Sequence, residues 1–302
     1  MSHVQSRFVP PYGVISDAIR SRQVIPFLGS GASLLNSATV QTCDELSEGI
    51  LPTAAQLAIH LAQKARFPQG EARELAKVAQ YYDVVSGRDL LNKELRNIFA
   101  CDYPFTSLHR YLAKVSVPLL IVTTNYDDLM ERALSELNCP HDRVIHTTDT
   151  ELGHQILWWP HGRSEPRPVS PNKLDVDLRT TTIVYKMHGA VDRHDPRRDQ
   201  YVITEDDYID FLARMTKNKA IPAIFAEPFQ SRHFLFLGYG LRDWNLRVVL
   251  NRIEKELRRH KGIKSWAIQN DPSPLEKRFW QERGVEVYNM PLEDFVGELS
   301  ST

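Results

Sequence analysis

Four short stretches of this chain carry side chains whose types and spacing could do chemistry. Thr123-Thr-Asn-Tyr-Asp-Asp128 offers an amide at Asn125, hydroxyls at Thr123 and Thr124, and carboxylates at Asp127 and Asp128. Lys186-Met-His188-Gly189 offers an imidazole, which titrates near neutrality and can serve as a general base. Gly29, Ser30, Gly31, Ala32 and Ser33 form a glycine turn with small residues, a backbone that can approach a diphosphate and aim N–H groups at its oxygens. Gly238, Tyr239 and Gly240 repeat the glycine spacing further on. Each stretch also has a plainer reading. The first glycine loop could be a tight turn, Asn or Asp after a strand could cap a helix, and a lone histidine could simply be hydrogen-bonded. Leu34 stands where G-x-G-x-x-G needs its third glycine, so the ordinary dinucleotide fingerprint fails, and no G-x-x-x-x-G-K-[ST] occurs. His161-Gly162 has the same form as His188-Gly189 but follows Trp158-Trp-Pro160 in a proline-rich run, so His188 is the stronger candidate.

The elements that must hold these groups can be read from apolar patterning. Val24–Leu28, Leu119–Thr123, Ile183–Met187 and Phe234–Leu237 are short apolar runs that predict buried strands, and each runs straight into one of the four polar stretches. Ser265–Gln269 and Val285–Tyr288 predict two more. Helices are expected over Gly13–Arg22, with Val14, Ile15, Ala18 and Ile19 on one face, and after Asp127, with Leu129, Met130, Ala133, Leu134 and Leu137. Another is expected after Asp243, where Leu246, Val249, Leu250, Ile253 and Leu257 form a stripe. From Thr53 to about Ala100, apolar residues recur at spacings of three and four, which predicts a helical insertion. Residues 140–180 hold five prolines, Pro140, Pro160, Pro166, Pro168 and Pro171, and read as loop. Strands alternating with helices predict an α/β, Rossmann-like, mostly parallel sheet flanked by helices, in which ligands bind beyond the carboxyl ends of the strands.

Composition narrows the classes. At 302 residues the chain is expected to form a single domain, 1–302, with 53–100 as a subdomain inside it. Lys plus Arg number 37 against 38 Asp plus Glu, which excludes a globally basic nucleic-acid binder. Arg252, Lys255, Arg258, Arg259, His260, Lys261 and Lys264 read as a solvated helix face, so direct nucleic-acid binding is not expected. The three cysteines, Cys43, Cys101 and Cys139, have no paired spacing, so neither a disulfide framework nor a cysteine zinc site is expected, and no metal is predicted. No apolar run reaches membrane-spanning length and the first 20 residues carry no apolar signal core. A cytoplasmic protein is the expectation.

The four strand exits, in this order, resemble the sirtuin-like NAD-binding fold over nearly the whole chain. Gly29-Ser-Gly31-Ala-Ser33 resembles its G-A-G-x-S loop, and Thr124-Asn-Tyr-Asp127 resembles T-Q-N-x-D. Lys186-Met-His188-Gly189 resembles K-x-H-G, and Gly238-Tyr-Gly240-Leu241 resembles G-x-S-L. Two departures point to one branch. Deacylases of this fold carry four zinc-binding cysteines after the His-Gly, and here no cysteine follows it. Thr124 also stands where they have glutamine, and Tyr201-Val-Ile-Thr-Glu205 leads on to Tyr208. Both features look like the sirtuin-like effector domains of bacterial anti-phage defence systems, which hydrolyse NAD.

That resemblance implies an NAD+ glycohydrolase releasing nicotinamide and ADP-ribose. It implies that Asn125 positions the ribose and attacking water, that Asp127 orients or stabilises the nicotinamide end, and that His188 is the base. Gly29, Ser30, Gly31, Ala32 and Ser33 would cradle the diphosphate, with Thr124 beside them, and Gly238, Tyr239 and Gly240 would line the adenosine side. It further implies a homo-oligomer, regulated from outside by a separately encoded HerA/FtsK-type ATPase. The alternatives are an NAD-dependent deacylase or ADP-ribosyltransferase on the same fold, a non-catalytic NAD- or ADP-ribose-sensing module, and a nucleic-acid-associated subunit.

Overall fold

A computed structural model of the chain describes residues 9–34, 49–68, 74–148, 152–216, 221–239 and 264–302. Eleven strands occur among them: β1 (Val24–Leu28), β2 (Leu120–Thr123), β3 (His141–His146), β4 (Ile156–Trp159), β5 (Arg167–Val169), β6 (Thr182–Lys186), β7 (Gly189–Ala190), β8 (Gln200–Tyr201), β9 (His233–Leu237), β10 (Ser265–Gln269) and β11 (Val285–Asn289). Nine form one sheet in the order β11-β10-β9-β1-β2-β6-β3-β4-β5. Every pairing from β11 through to β3 is parallel. The expected strands read as near-continuous apolar runs because both faces of this half are covered; β1, β6 and β10 are buried at every residue.

The sheet order fixes where a ligand can enter. From β1 the chain builds outward through β2 and β6 on one side, then returns to lay β9 and β10 on the other. β1 and β9 therefore flank a topological switch, and a crevice opens beyond their carboxyl ends. The exits of β1, β2, β6 and β9 are the four polar stretches.

Two core layers sandwich the sheet. Ile25, Phe27, Val122, Tyr185, Phe225 and Phe236 pack on one face, and Ile15, Ile19, Leu28, Ile121, Leu237 and Phe295 on the other. Helix α1 (Tyr12–Arg20) buries Ile15 and Ile19 as expected, but Val14 is 59% exposed and does not belong to its core face. The helical insertion forms α2 (Ala54–Ala65), α3 (Leu75–Ser86) and α4 (Arg88–Phe99), and α2 starts at a Thr53–Gln56 capping box. Its Leu57, Leu61, Val78, Leu91 and Leu95 form a third apolar cluster that reaches Tyr126, Leu129 and Tyr201 of the sheet side.

The reading of residues 140–180 as loop is corrected. They supply β3, β4 and β5, and β4 lies antiparallel to both neighbours. Their prolines mostly flank the strands, and Pro168 sits inside β5, which ends the sheet, where a missing N–H costs no interior ladder bond. After Gly189 the chain makes the two-stranded β7–β8 hairpin and enters α7 (Glu205–Thr216). The hairpin loop is tied by Arg96 to Asp199, at 2.9 Å, and by Arg193 to Asp128, at 2.6 Å. The helix expected after Asp243, with Gly240 and the basic run to Lys261, lies outside the described residues.

Candidate active site

The exits of β1 and β9 lock together backbone to backbone. Gly238 lies at φ +70°, and a Cβ there would come within 2.1 Å of the Ala32 nitrogen, so only glycine closes this contact. Gly29 N–H donates to the Leu237 carbonyl at 3.0 Å and Gly31 N–H to the Gly238 carbonyl at 2.9 Å. These two N–H groups, expected to face a diphosphate, are committed to holding β9. Within the loop it is Ser30 and Ser33 that border the cleft. Thr124 Oγ1 and the Tyr239 hydroxyl, 2.7 Å apart, bridge the exits of β2 and β9 across β1.

Asn125 is held by this junction. Its Nδ2 donates to the Gly29 carbonyl at 2.9 Å and to Ser33 Oγ at 3.1 Å. Its N–H donates to Thr123 Oγ1 at 3.0 Å. The two Nδ2 contacts fix the sense of the amide and turn Oδ1 away from them. Ser33 Oγ in turn donates to Asp127 Oδ2 at 2.9 Å, while Asp127 Oδ1 accepts the Leu129 N–H at 3.1 Å. Asp127 therefore lines the cleft with both oxygens already bonded to protein. It takes the first N–H of α6 (Leu129–Glu136) and steadies Ser33, so this stretch does the work of a helix start while lining the cleft. Asp128 is drawn off by Arg193. Leu137, expected on the helix face, follows the last turn and is 42% exposed.

Beneath Asp127 lies a buried ionic layer. The Lys186 ammonium donates to the Asp127 carbonyl oxygen and faces Glu131 Oε1 at 3.5 Å. His109, on α5 (Ser107–Ala113), is buried beside it, and burial drives its imidazole down to about 4 against the raising influence of Asp127 and Glu131.

His188 is 4% exposed and follows β6 into the same cleft. Tyr208 and Phe211 of α7 meet its ring edge-on at centroid distances of 5.3 and 5.4 Å. Burial holds the imidazole far below its ordinary value, at about 3, so it is neutral at physiological pH. Its Nε2 is buried and has no hydrogen-bond partner among the described residues. Gly189 follows at φ +88°, where a Cβ would lie 2.1 Å from the Gln200 carbonyl oxygen.

One cleft of about 270 Å³ thus gathers Ser30, Ser33, Thr124, Asn125, Asp127 and His188. The rest of its wall was not among the expected site residues: Leu57, Leu75 and Phe99 come from the helical insertion, Leu51 from just before it, and Tyr208 from α7. A second cleft, about 450 Å³, shares Gly238 and Tyr239 with the first and extends past Gly31 and Ala32 to Gln269, the last residue of β10, and Asn270 and Asp271 after it. The Ser265–Gln269 strand was expected, but nothing local marked the polar residues after it as belonging to a site. The described residues contain no group of three or more His, Cys, Asp or Glu placed to hold a metal.

Comparison with known proteins agrees with this fold. Residues 119–288 match the family described as SIR2-like domain. Defense-associated sirtuin 2 of Bacillus subtilis is 22% identical over 279 residues, covering 90% of this chain and 24% of the relative. The NAD(+) hydrolase ThsA of Bacillus cereus is 28% identical over 212 residues, covering 68% and 38%. The ThsA of Enterococcus faecium is 31% identical over 191 residues, covering 61% and 33%. The chain spans between 24% and 38% of the length of these relatives.

Proposed function

The chain belongs to the SIR2-like domain family, and from that premise we propose that it is an NAD+ glycohydrolase, giving nicotinamide and ADP-ribose. The observation that carries the reading is the pairing in one cleft of an oriented amide, Asn125, with a buried imidazole nitrogen, His188 Nε2, that no group among the described residues satisfies. A buried acceptor without a donor is costly unless a ligand supplies one. Relatives named NAD(+) hydrolase and defense-associated sirtuin support the choice of substrate.

The chemistry suits these residue types. Nicotinamide leaves NAD+ as a neutral molecule, so its departure needs no acid. The cost lies in the oxocarbenium-like ribosyl cation that develops as the C1′–N bond breaks. Water then adds at C1′ and loses one proton. Asn125 Oδ1 would hold the ribose or that water, and His188 Nε2 would accept a hydrogen bond from a ribose hydroxyl or the water and take the proton as the C–O bond forms. A weak base is adequate for attack on so electrophilic a carbon. Asp127 would act through Ser33 rather than touch the substrate. The nicotinamide ribose would occupy the smaller cleft, the diphosphate would pass Ser30 and Ser33, and the adenosine would lie past Gly238 and Tyr239 in the larger one. The apolar wall from the insertion would keep bulk water from the cation.

The wider reading is a cytoplasmic, oligomeric anti-phage effector that depletes NAD+, controlled by a HerA/FtsK-type ATPase. Its first test is chromatographic release of nicotinamide and ADP-ribose from NAD+, with and without that partner. Asn125→Ala should abolish turnover at unchanged circular dichroism. Full turnover in that variant would overturn the site.

A further inference from the structure

A groove of about 600 Å³ lies between α1, α5 and the helix Leu292–Ser300. Its floor is apolar: Ile19, Val296 and Leu299 are buried and Val115 is half-buried. Its rim is cationic. Arg110 and Lys114 stand four apart along α5 and its C-cap, so they share a face, and Arg20 joins them from α1. Arg110 and Lys114 make no ion pair among the described residues, and the contact of Arg20 to the exposed Asp17 is a loose 3.8 Å. Glu293 is the one carboxylate in the lining. Gly297 sits in the interior of its helix, where glycine is unfavourable, yet nothing lies within 4 Å of where its Cβ would be. The chain's own packing gives no reason for glycine there; a backbone approaching from outside does.

The matching relief is on α7. Its inner face packs Phe211 and Met215 into the core, and its outer face exposes Glu205, Asp206, Ile209, Asp210 and Ala213 at helical spacing. Ile209 is 65% exposed among these acids. Asp206 exchanges bonds of 2.9 and 3.0 Å with the Gln80 amide of α3, and Val84, one turn on from Gln80, is exposed as well. Asp210 meets Arg214 at 2.6 Å but stays half exposed. The two surfaces lie on opposite faces of the sheet, because α7 packs on one core layer and the groove helices on the other. One chain cannot bring them together, but two chains can.

We propose that the occupant of this groove is α7 of a second copy of the chain. Ile209 sits on the apolar floor over Gly297, and the carboxylates beside it face Arg20, Arg110 and Lys114. A helix laid in a groove is held by its apolar anchor, and the opposite charges fix its register. The contact is heterologous, so copies add head to tail and either close a ring or extend. The inference deepens the oligomeric reading above and is independent of the glycohydrolase activity. α7 also places Tyr208 and Phe211 on His188, so the helix that makes the contact is the one that walls the cleft.

The test is sedimentation velocity of the full chain across micromolar concentrations. Mass should rise with concentration and fall back when salt is raised to about 1 M, where the Debye length shrinks to about 3 Å. Arg110→Glu and Ile209→Asp, both at exposed positions, should each weaken association by about tenfold or more at unchanged circular dichroism. Gly297→Leu should do the same without altering charge. Mixed in equal amounts, Arg110→Glu and Ile209→Asp should pair once and stop, since the first keeps its α7 and the second keeps its groove. A wild type that stays monomeric throughout overturns both this contact and the oligomeric reading. An oligomer undiminished by all three substitutions overturns the contact alone and leaves that reading standing. Failure of the two variants to pair on mixing overturns the head-to-tail arrangement.

Discussion

The dipeptide His-Gly occurs twice in this chain, and its two copies occupy opposite environments. His188-Gly189 leaves a fully buried parallel strand; its imidazole is enclosed by Tyr208 and Phe211, and its glycine is pressed against Gln200. His161-Gly162 follows β4 at the antiparallel edge, exposed on a turn closed by the Arg163 N–H to Pro160 carbonyl bond at 3.0 Å. Gly162 also has positive φ, +73°, yet nothing lies within 4 Å of where its Cβ would be. The same two residues thus give a buried imidazole lining a cleft in one place and an exposed turn in the other. Residue type sets what a group can do; enclosure decides whether it does it.

The largest effect that would test this contrast is on turnover. Loss of a general base costs about 10²- to 10⁴-fold, so His188→Ala should lose NAD+ cleavage by that factor while His161→Ala keeps wild-type rates. Nicotinamide release assays on both variants decide it, and equal losses would break the comparison.

Next come the glycines, measured by urea denaturation. Forcing an L-residue into the left-handed region costs about 1–2 kcal/mol, and Gly162→Ala should cost no more than that. Gly189→Ala should cost clearly more, because its Cβ meets a backbone carbonyl that cannot move without opening the β7–β8 hairpin. Similar urea midpoints for the two variants would refute the close-packing argument.

Acid stability sharpens the contrast further. Burial depresses His188 to about 3 and His109 to about 4. Between their unfolded value, about 6.5, and these folded values, the unfolded chain binds an extra proton at each site. Stability from this source is complete above about pH 6.5 and falls as pH drops, by about 1.4 kcal/mol per pH unit per histidine. Urea midpoints between pH 7 and 5 should therefore drop less steeply for His188→Asn than for wild type, and an unchanged slope would show that His188 is not desolvated.

The smallest expected effect is at Ser33. Removing its hydroxyl leaves Asn125 anchored through Gly29 alone, so Ser33→Ala should lower kcat about tenfold, roughly 1.4 kcal/mol of barrier, with KM little changed. A rise in KM at constant kcat would instead place Ser33 on the substrate.

The parallel strands β1, β2, β6, β9, β10 and β11 were readable to within one residue at each end. β1 and β10 fall where their apolar runs predict, because a strand buried on both faces tolerates little polarity. The antiparallel edge was not. β3 reads His-Asp-Arg-Val-Ile-His, and Arg143 covers Trp159 on the neighbouring strand, so its apolar surface is shielded by a charged side chain and its periodicity is hidden. The same holds within the site. Asn125, Asp127 and His188 announced themselves at strand ends, but Tyr208, Phe99 and Leu57 reach the cleft from distant helices, and no local spacing encodes such a meeting.

By itself, then, the sequence determined the α/β class, the four polar strand exits and the residue types available there, because burial pattern and turn chemistry are local properties. Only the tertiary structure decided what each group faces. It spent the N–H groups of Gly29 and Gly31 on β9, bonded both Asp127 oxygens to protein, and left His188 Nε2 without a hydrogen-bond partner among the described residues. Whether a polar group is satisfied depends on neighbours brought from elsewhere in the chain, and those unsatisfied groups are where a ligand has the most to offer.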